Sequence, residues 1–324
     1  MTTHNSQPRV AAIGECMLEL SGEPGQGASR NLCLGYGGDT LNTAVYLARL
    51  GIAADFVTAL GDDSHSQWLI SRWRAEGVGT DQVFRLPGRV PGLYMIDTDP
   101  DGERHFSYWR SAAPARELFD DAGRVDALRQ ALLQRHLVYF SGISLSLYPE
   151  AGRERLFALL AELRAGGVQV GFDGNYRPAG WTDSALARAA FTRACEHADI
   201  VLPTFDDENA LFGDRIPEAT LARIAASGAS EIVLKQGPAG CHVWHRGEAL
   251  WVPAQTVERP VDTTAAGDAF NAAYLAARLQ GKPPEAAARC GHRLAAEVIQ
   301  VRGAIIPVAR MPGADASPDG EQGI

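Results

Sequence analysis

The sequence predicts an α/β fold, a largely parallel central sheet with covering helices and a small β-sheet flap. Three observations predict it. Strand-like and helix-like stretches alternate along most of the chain. The strand-like stretches are short and apolar, as strands buried on both faces are. One region, 82–109, breaks that rhythm with two alternating segments around a turn.

The elements follow in order. Residues 10–13 read as the first strand, and a glycine turn leads from it into a helix over 41–50. A strand at 55–59 and a helix at 67–76 come next. Strands at 137–141, 168–173, 200–203 and 231–235 are separated by helices at 153–165, 186–197 and 221–227. Gly51, Gly77, Gly166 and Gly228 sit just past four of the helices, where a left-handed cap is wanted. In the flap, Asp99-Pro-Asp-Gly102 is a hairpin turn, because Pro presets one turn angle and Gly accepts positive φ. Segments 18–20 and 32–36 are expected to join it. The chain therefore reads as one α/β domain over 1–312, with lid segments near 16–36 and 82–110. The Pro-, Gly- and acid-rich tail, 313–324, is expected to be disordered.

Composition narrows the class. At 324 residues, 46% hydrophobic and 21% charged, the chain can bury a sizeable core. A net charge of −9 argues against a broad basic surface for nucleic acid or anionic lipid. The five cysteines are widely spaced without a C-x-x-C pair, which suits a reducing cytosol. No signal-like core or membrane-length apolar run is present, so the expected location is cytoplasmic.

The cassette Asp262-Thr-Thr-Ala-Ala-Gly-Asp268 runs into the apolar positions Phe270, Ala273, Tyr274 and Leu275, which repeat at helical spacing. Backbone N–H groups at such a helix start have no internal partner and carry the positive end of the dipole. Small residues at Ala265, Ala266 and Gly267 let an anion approach those donors, and a phosphoryl group in transfer is the natural guest. A carboxylate there would repel phosphate. Asp268 makes sense as the group that takes the proton from an attacking hydroxyl. The plainer alternative is that it only complements the helix dipole.

This stretch resembles the C-terminal signature of the ribokinase-like sugar kinases of the phosphofructokinase-B type, usually D-T-x-G-A-G-D. The chain departs from it at Ala265, where the family has its first glycine. The change is expected to be tolerable, since alanine still permits close approach provided its φ is negative. The segment Leu34-Gly-Tyr-Gly-Gly-Asp-Thr-Leu-Asn42 resembles the family's first signature, G-G-x-x-x-N. The resemblance implies that Gly37, Gly38, Asp39 and Asn42 meet the sugar; an ordinary helix start capped by Asp39 or Thr40 is the alternative. It further implies a ribokinase-like fold, ATP as phosphoryl donor, Mg²⁺, and room for a monovalent cation.

The K-x-G-x-x-G run from Lys235 through Gly237 to Gly240 would lie along the nucleotide. His292 falls where the family closes over adenine, or is a surface histidine. The family's metal-organising N-x-x-E matches here as Thr204 and Asp207. Thr204 is assigned to the nucleotide side and Asp207 to Mg²⁺ through water, with Asp206 and Glu208 as competing carboxylates.

The acceptor is read from the flap and from Gly171-Phe-Asp-Gly-Asn-Tyr-Arg-Pro178, which follows a strand at its carboxyl end. Tyr94, Tyr108, Arg110 and Arg177 are the candidates that would touch it, with Asp268. Two arginines suit a carboxylate-bearing sugar acid rather than a neutral sugar, unless they are structural ion pairs. The segments IGECMLEL, FSYWR, SGISLS, FDGNYRP and RGAIIP resemble a sugar-acid branch of the family. The resemblance implies an ATP-dependent kinase in sugar-acid breakdown. A neutral-sugar kinase and a non-catalytic sensor of the same fold are the rivals. An exposed flap edge is where two copies would pair.

Overall fold

The structure is a computed structural model, and it describes residues 7–22, 31–98 and 104–312. Strand β1 (Arg9–Ile13) alternates its faces: Val10 and Ala12 enter one buried cluster, Ala11 and Ile13 the other. That two-sided burial is why it reads as an uninterrupted apolar run. Strands β2 (Met17–Gly22) and β3 (Cys33–Gly37) lead into α1 (Asp39–Arg49). Then come β4 (Ala53–Gly61), α2 (Ser64–Ala75), β5 (Val83–Leu86), β6 (Leu93–Thr98) and β7 (Arg104–Trp109).

The middle of the chain holds α3 (Ala122–Leu132), β8 (Leu137–Ser141), α4 (Gly142–Leu147), α5 (Glu150–Ala165), β9 (Gln169–Asp173) and α6 (Ser184–Glu196). The last part runs β10 (Ile200–Val201), α7 (Phe205–Phe212), α8 (Pro217–Ala226), β11 (Glu231–Lys235), β12 (Gly240–His245), β13 (Glu248–Pro253), α9 (Ala266–Leu279) and α10 (Pro284–Val298).

Nine strands form one sheet in the order β13-β12-β11-β10-β9-β8-β1-β4-β5. It is parallel from β11 to β5, and the β12–β13 hairpin adds an antiparallel edge. Helices α1, α2, α9 and α10 cover one face; α3, α5, α6 and α8 cover the other. A second sheet, β3-β2-β6-β7, is the expected flap. No helix among the described residues is long and apolar enough to cross a membrane.

Two expectations need correction. Residues 83–86 do not belong to the flap: β5 pairs in parallel with β4, from Thr58 opposite Val83 to Gly61 opposite Leu86. Both of its faces are covered, Val83 by one cluster and Phe84 and Leu86 by the other, so the large sheet outbids the flap for this segment. Gly51, Gly77 and Gly228 take the left-handed conformation as expected, but Gly166 has φ −79 and Gly167 carries the positive φ of 86 instead. The turn closes one residue later, with Gly167 N–H on the Arg164 carbonyl and Val168 N–H on that of Leu163. The predicted hairpin turn at 99–102 and the tail 313–324 lie outside the described residues.

Candidate active site

The strand order reverses between β1 and β8, and open α/β sheets bind ligands at such a crevice, beyond the carboxyl ends of the strands. Glu15 follows β1 there, Ser141 ends β8, Asp173 ends β9 and Lys235 ends β11. The first turns of α1 and α9 roof the same crevice. Helices α2, α3, α4 and α6 are capped by Asp63, Asp121, Ser141 and Asp183 side chains, whereas α1, α7 and α9 at the site, like α5, α8 and α10, carry no side-chain cap.

Beneath the roof is a chamber of acids. Asp268, in the first turn of α9 and 8% exposed, accepts a 2.9 Å hydrogen bond from Asn42 Nδ2. Thr43 donates to its carbonyl, so α1 holds it at both ends. Lys235 Nζ donates to Asp173 and to Asn271 Oδ1, each at 3.0 Å, and Asn271 Nδ2 donates to the Tyr139 hydroxyl. Asn175 Nδ2 donates to Asp39 at 2.9 Å. Burial, and then the nearby charge of Asp39, hold the Asp268 carboxyl well above the usual carboxylate range, with the Asn42 bond acting against them. Burial also raises Asp39, opposed by the Ser141 hydroxyl.

The mouth of α9 departs from expectation. Ala265 has φ 60 and ψ 14, the left-handed region, so the condition of a negative φ fails. The turn demands the conformation that the family's glycine adopts freely, and alanine takes it at a steric cost of about 1–2 kcal/mol. Asp262 enforces the turn: its carboxylate accepts from Thr264 N–H (3.0 Å), Thr264 Oγ1 (2.7 Å) and Gly303 N–H (2.8 Å). Ala266 N–H bonds to Thr263, while among the described residues those of Ala265, Gly267 and Asp268 meet no protein acceptor. A Cβ added at Gly267 would have one near neighbour, Lys235 Nζ at 3.8 Å. The free N–H groups therefore stay accessible at Gly267 despite the positive φ of Ala265, with an ammonium beneath them.

At the mouth of α1 the cap is Gly38, not Asp39 or Thr40. Its φ of 178 is ordinary extended backbone; what it needs is space, because an added Cβ would collide with the Glu15 carbonyl. At Gly37 a Cβ would meet the Tyr94 hydroxyl.

Between flap and α/β body lies a cavity of about 810 Å³, walled in part by Gly38, Asp39, Tyr108, Arg110 and Arg177. These predicted residues are thus brought together, and Asp39 links them by charge to Asp268, which Asn42 holds. Tyr94 is not on the wall. Strand register places Glu19 opposite it, and its hydroxyl donates to that carboxylate. Arg110 pairs with the buried Glu15 at 2.5 Å, and Arg177, its side chain 57% exposed, stands 3.4 Å from Asp207. The ion-pair alternative for the two arginines is thus partly realised, fully for Arg110.

On the far side, Thr204 heads α7 and bridges to Lys235. Gly237 and Gly240 have positive φ (53 and 137), the latter against the Val252 carbonyl, so the glycine run shapes the turn between β11 and β12. Lys235 points inward to Asp173 rather than along that turn. His292 is buried edge-on against Phe270, with ring centroids 4.9 Å apart, which removes the surface alternative. Its Nε2 has no partner among the described residues, and burial lowers its pKa.

Of the three neighbouring acids, Asp206 is exposed and Glu208 is buried on Arg223 at 2.7 Å, pushed up to about 7 by burial. Asp207 alone faces the charges of Arg177, Asp173 and Lys235. Among the described residues no group of three or more His, Cys, Asp or Glu could hold a metal by itself. Asp207, half-buried among those charges, is the carboxylate of the three whose surroundings suit a metal-bound water.

Sequence reading missed Glu15, Tyr139, Asn271 and Arg116. Asn271 was findable, four residues after Gly267 and so on the same helix face. Arg116 sits in a short helical turn, Pro114–Glu117, whose sequence carries no signal of a site.

The family model for pfkB family carbohydrate kinases matches residues 7–310. The chain is 46% identical over 319 residues to the 2-dehydro-3-deoxygluconokinase of Dickeya dadantii, covering 96% of this chain and 100% of that one. A solved 2-dehydro-3-deoxygluconokinase from Thermotoga maritima shares its fold with a TM-score of 0.81 at 22% identity, over 94% and 98% of the two chains. An Escherichia coli protein in complex with ATP and Mg²⁺ does so with a TM-score of 0.80 at 24% identity, over 92% and 94%.

Proposed function

Because the chain belongs to the pfkB family of carbohydrate kinases, we propose that it transfers the γ-phosphoryl group of ATP to the 6-hydroxyl of 2-dehydro-3-deoxygluconate (2-keto-3-deoxygluconate). The observation that carries the reading is the buried Asp268, held by Asn42 at an uncapped helix mouth and within reach of the charge of Asp39 on the wall of the arginine-lined cavity.

The sugar acid lies beneath the flap, against Gly38, Tyr108, Arg110 and Arg177, with Tyr94 delivered by flap closure. Asp268 accepts the proton of the attacking hydroxyl. The N–H groups of Ala265, Gly267 and Asp268 donate to the phosphoryl oxygens, and the Lys235 ammonium beneath them offsets negative charge. Thr204, Gly237, Gly240 and His292 line the nucleotide side. Asp207 would hold Mg²⁺ through one of its waters, and the metal would supply charge neutralisation for the transferring phosphoryl group. Closure of the flap excludes water as a competing acceptor.

A neutral-sugar kinase is the second reading, favoured by the acids already paired to Arg110 and Arg177. ADP release measured across sugar acids and neutral sugars separates the two. Turnover of 2-dehydro-3-deoxygluconate well above fructose and ribose is expected; the reverse order sinks the proposal. Runs with and without potassium test a monovalent-cation requirement. The reading includes self-association through the flap, where Leu34, Phe106 and Trp109 lie exposed, and sedimentation over a concentration series tests it.

A further inference from the structure

Arg116 lines the same cavity as Arg110 and Arg177 but differs from both in its pairing. Among the described residues its guanidinium makes no hydrogen bond or ion pair, although its charge reaches Glu15. Everything around it is tied down. Ala115 and Leu118 are buried in the core, Glu117 pairs with Arg89, and Arg124 donates to the carbonyls of Glu117 and Leu118. A turn held this firmly presents a free cation to the cavity at little further cost in ordering.

The pairing around it points the same way. Arg110 is answered directly by Glu15, so Arg116 is the guanidinium beside that pair with no carboxylate of its own, although the Asp39 charge reaches Glu15 as well. Asp39, on the inner wall, lies toward Asp268, and its negative charge repels an acid group from the catalytic end. A substrate with a hydroxyl to be phosphorylated at one end and a carboxylate at the other is oriented by this polarity.

Resting on the sugar-acid reading above, we propose that Arg116 binds the substrate carboxylate. The Glu15–Arg110 pair stands beside it as the fixed wall that sets its direction. Arg177, largely exposed and drawn toward Asp207, is then secondary for acid recognition.

The test measures kcat and KM for wild type, Arg116→Ala and Arg116→Lys on 2-dehydro-3-deoxygluconate and on its neutral counterpart with a 1-hydroxyl in place of the carboxylate. Calorimetric titration of the acid without ATP gives an independent binding readout. Arg116→Ala is expected to lower kcat/KM for the acid about 10- to 100-fold, the scale of one or two charge-assisted hydrogen bonds, mainly through KM. The neutral compound and the KM for ATP should be unchanged, and Arg116→Lys should recover part of the loss even if the alanine variant folds poorly. Unaltered acid binding in Arg116→Ala, an equal loss on the neutral compound, or a shift carried by ATP would overturn the assignment. A wild type that turns over neutral sugars but not the acid would instead bring down the substrate reading itself.

Discussion

Two helix mouths, those of α1 and α9, meet over the chamber, and they use small residues for opposite reasons. At α1, Gly38 adopts an extended backbone open to any residue, but the Glu15 carbonyl leaves no room for a side chain. At α9, Ala265 has room for its methyl group but sits at φ 60, where only glycine is comfortable. One mouth is limited by space and the other by conformation. A sequence pattern of small residues looks alike in both cases, yet the tolerance to substitution differs.

Substitutions can break or sharpen that contrast. The largest effect is expected at Asp268→Asn, which preserves shape and removes the base: kcat should fall about 10²–10⁴-fold. Because burial disfavours the charged form of Asp268, its melting temperature in neutral buffer should hold or rise, read by circular dichroism. Gly38→Ala comes next, since the new methyl group must displace the Glu15 backbone; a stability loss of about 1–3 kcal/mol in urea unfolding is expected, with weaker sugar binding. A neutral outcome there would deny that space is what α1 conserves.

Asn42→Ala tests the bond that joins the two mouths. That bond lowers the pKa of Asp268, so its loss raises the pKa further. Since the base must be deprotonated, the acid limb of the kcat/KM profile should move to higher pH than in the wild type. A limb that stays in place would separate Asn42 from the base. The smallest effect is Ala265→Gly, expected to stabilise by about 0.5–1 kcal/mol in chemical unfolding, relief of the left-handed strain minus the entropy glycine adds to the unfolded chain. A destabilised variant would mean the methyl group contributes packing.

Much of this was legible beforehand because local patterns encode it. Buried strands read as apolar runs, and both mouths read as small residues ahead of a helical period. What escaped depended on pairings distant in sequence. Segment 83–86 looked like flap until parallel pairing with β4 claimed it. Lys235 looked like part of a nucleotide loop, but Asp173 and Asn271 draw its ammonium into the chamber. Arg116 was invisible because its significance lies in lacking a partner, which no single sequence displays. Alanine at 265 was misjudged because φ there is set by Asp262 gripping the turn.

The bond from Asn42 to Asp268 spans 226 positions, and the Tyr46 hydroxyl reaches still further, to Ala304 and Ile306. A ribosome must synthesise the chain through residue 306 before these segments can meet. With Asp268 as the proposed base, phosphoryl transfer must therefore wait until α9 has docked on α1, so activity would report a completed topology.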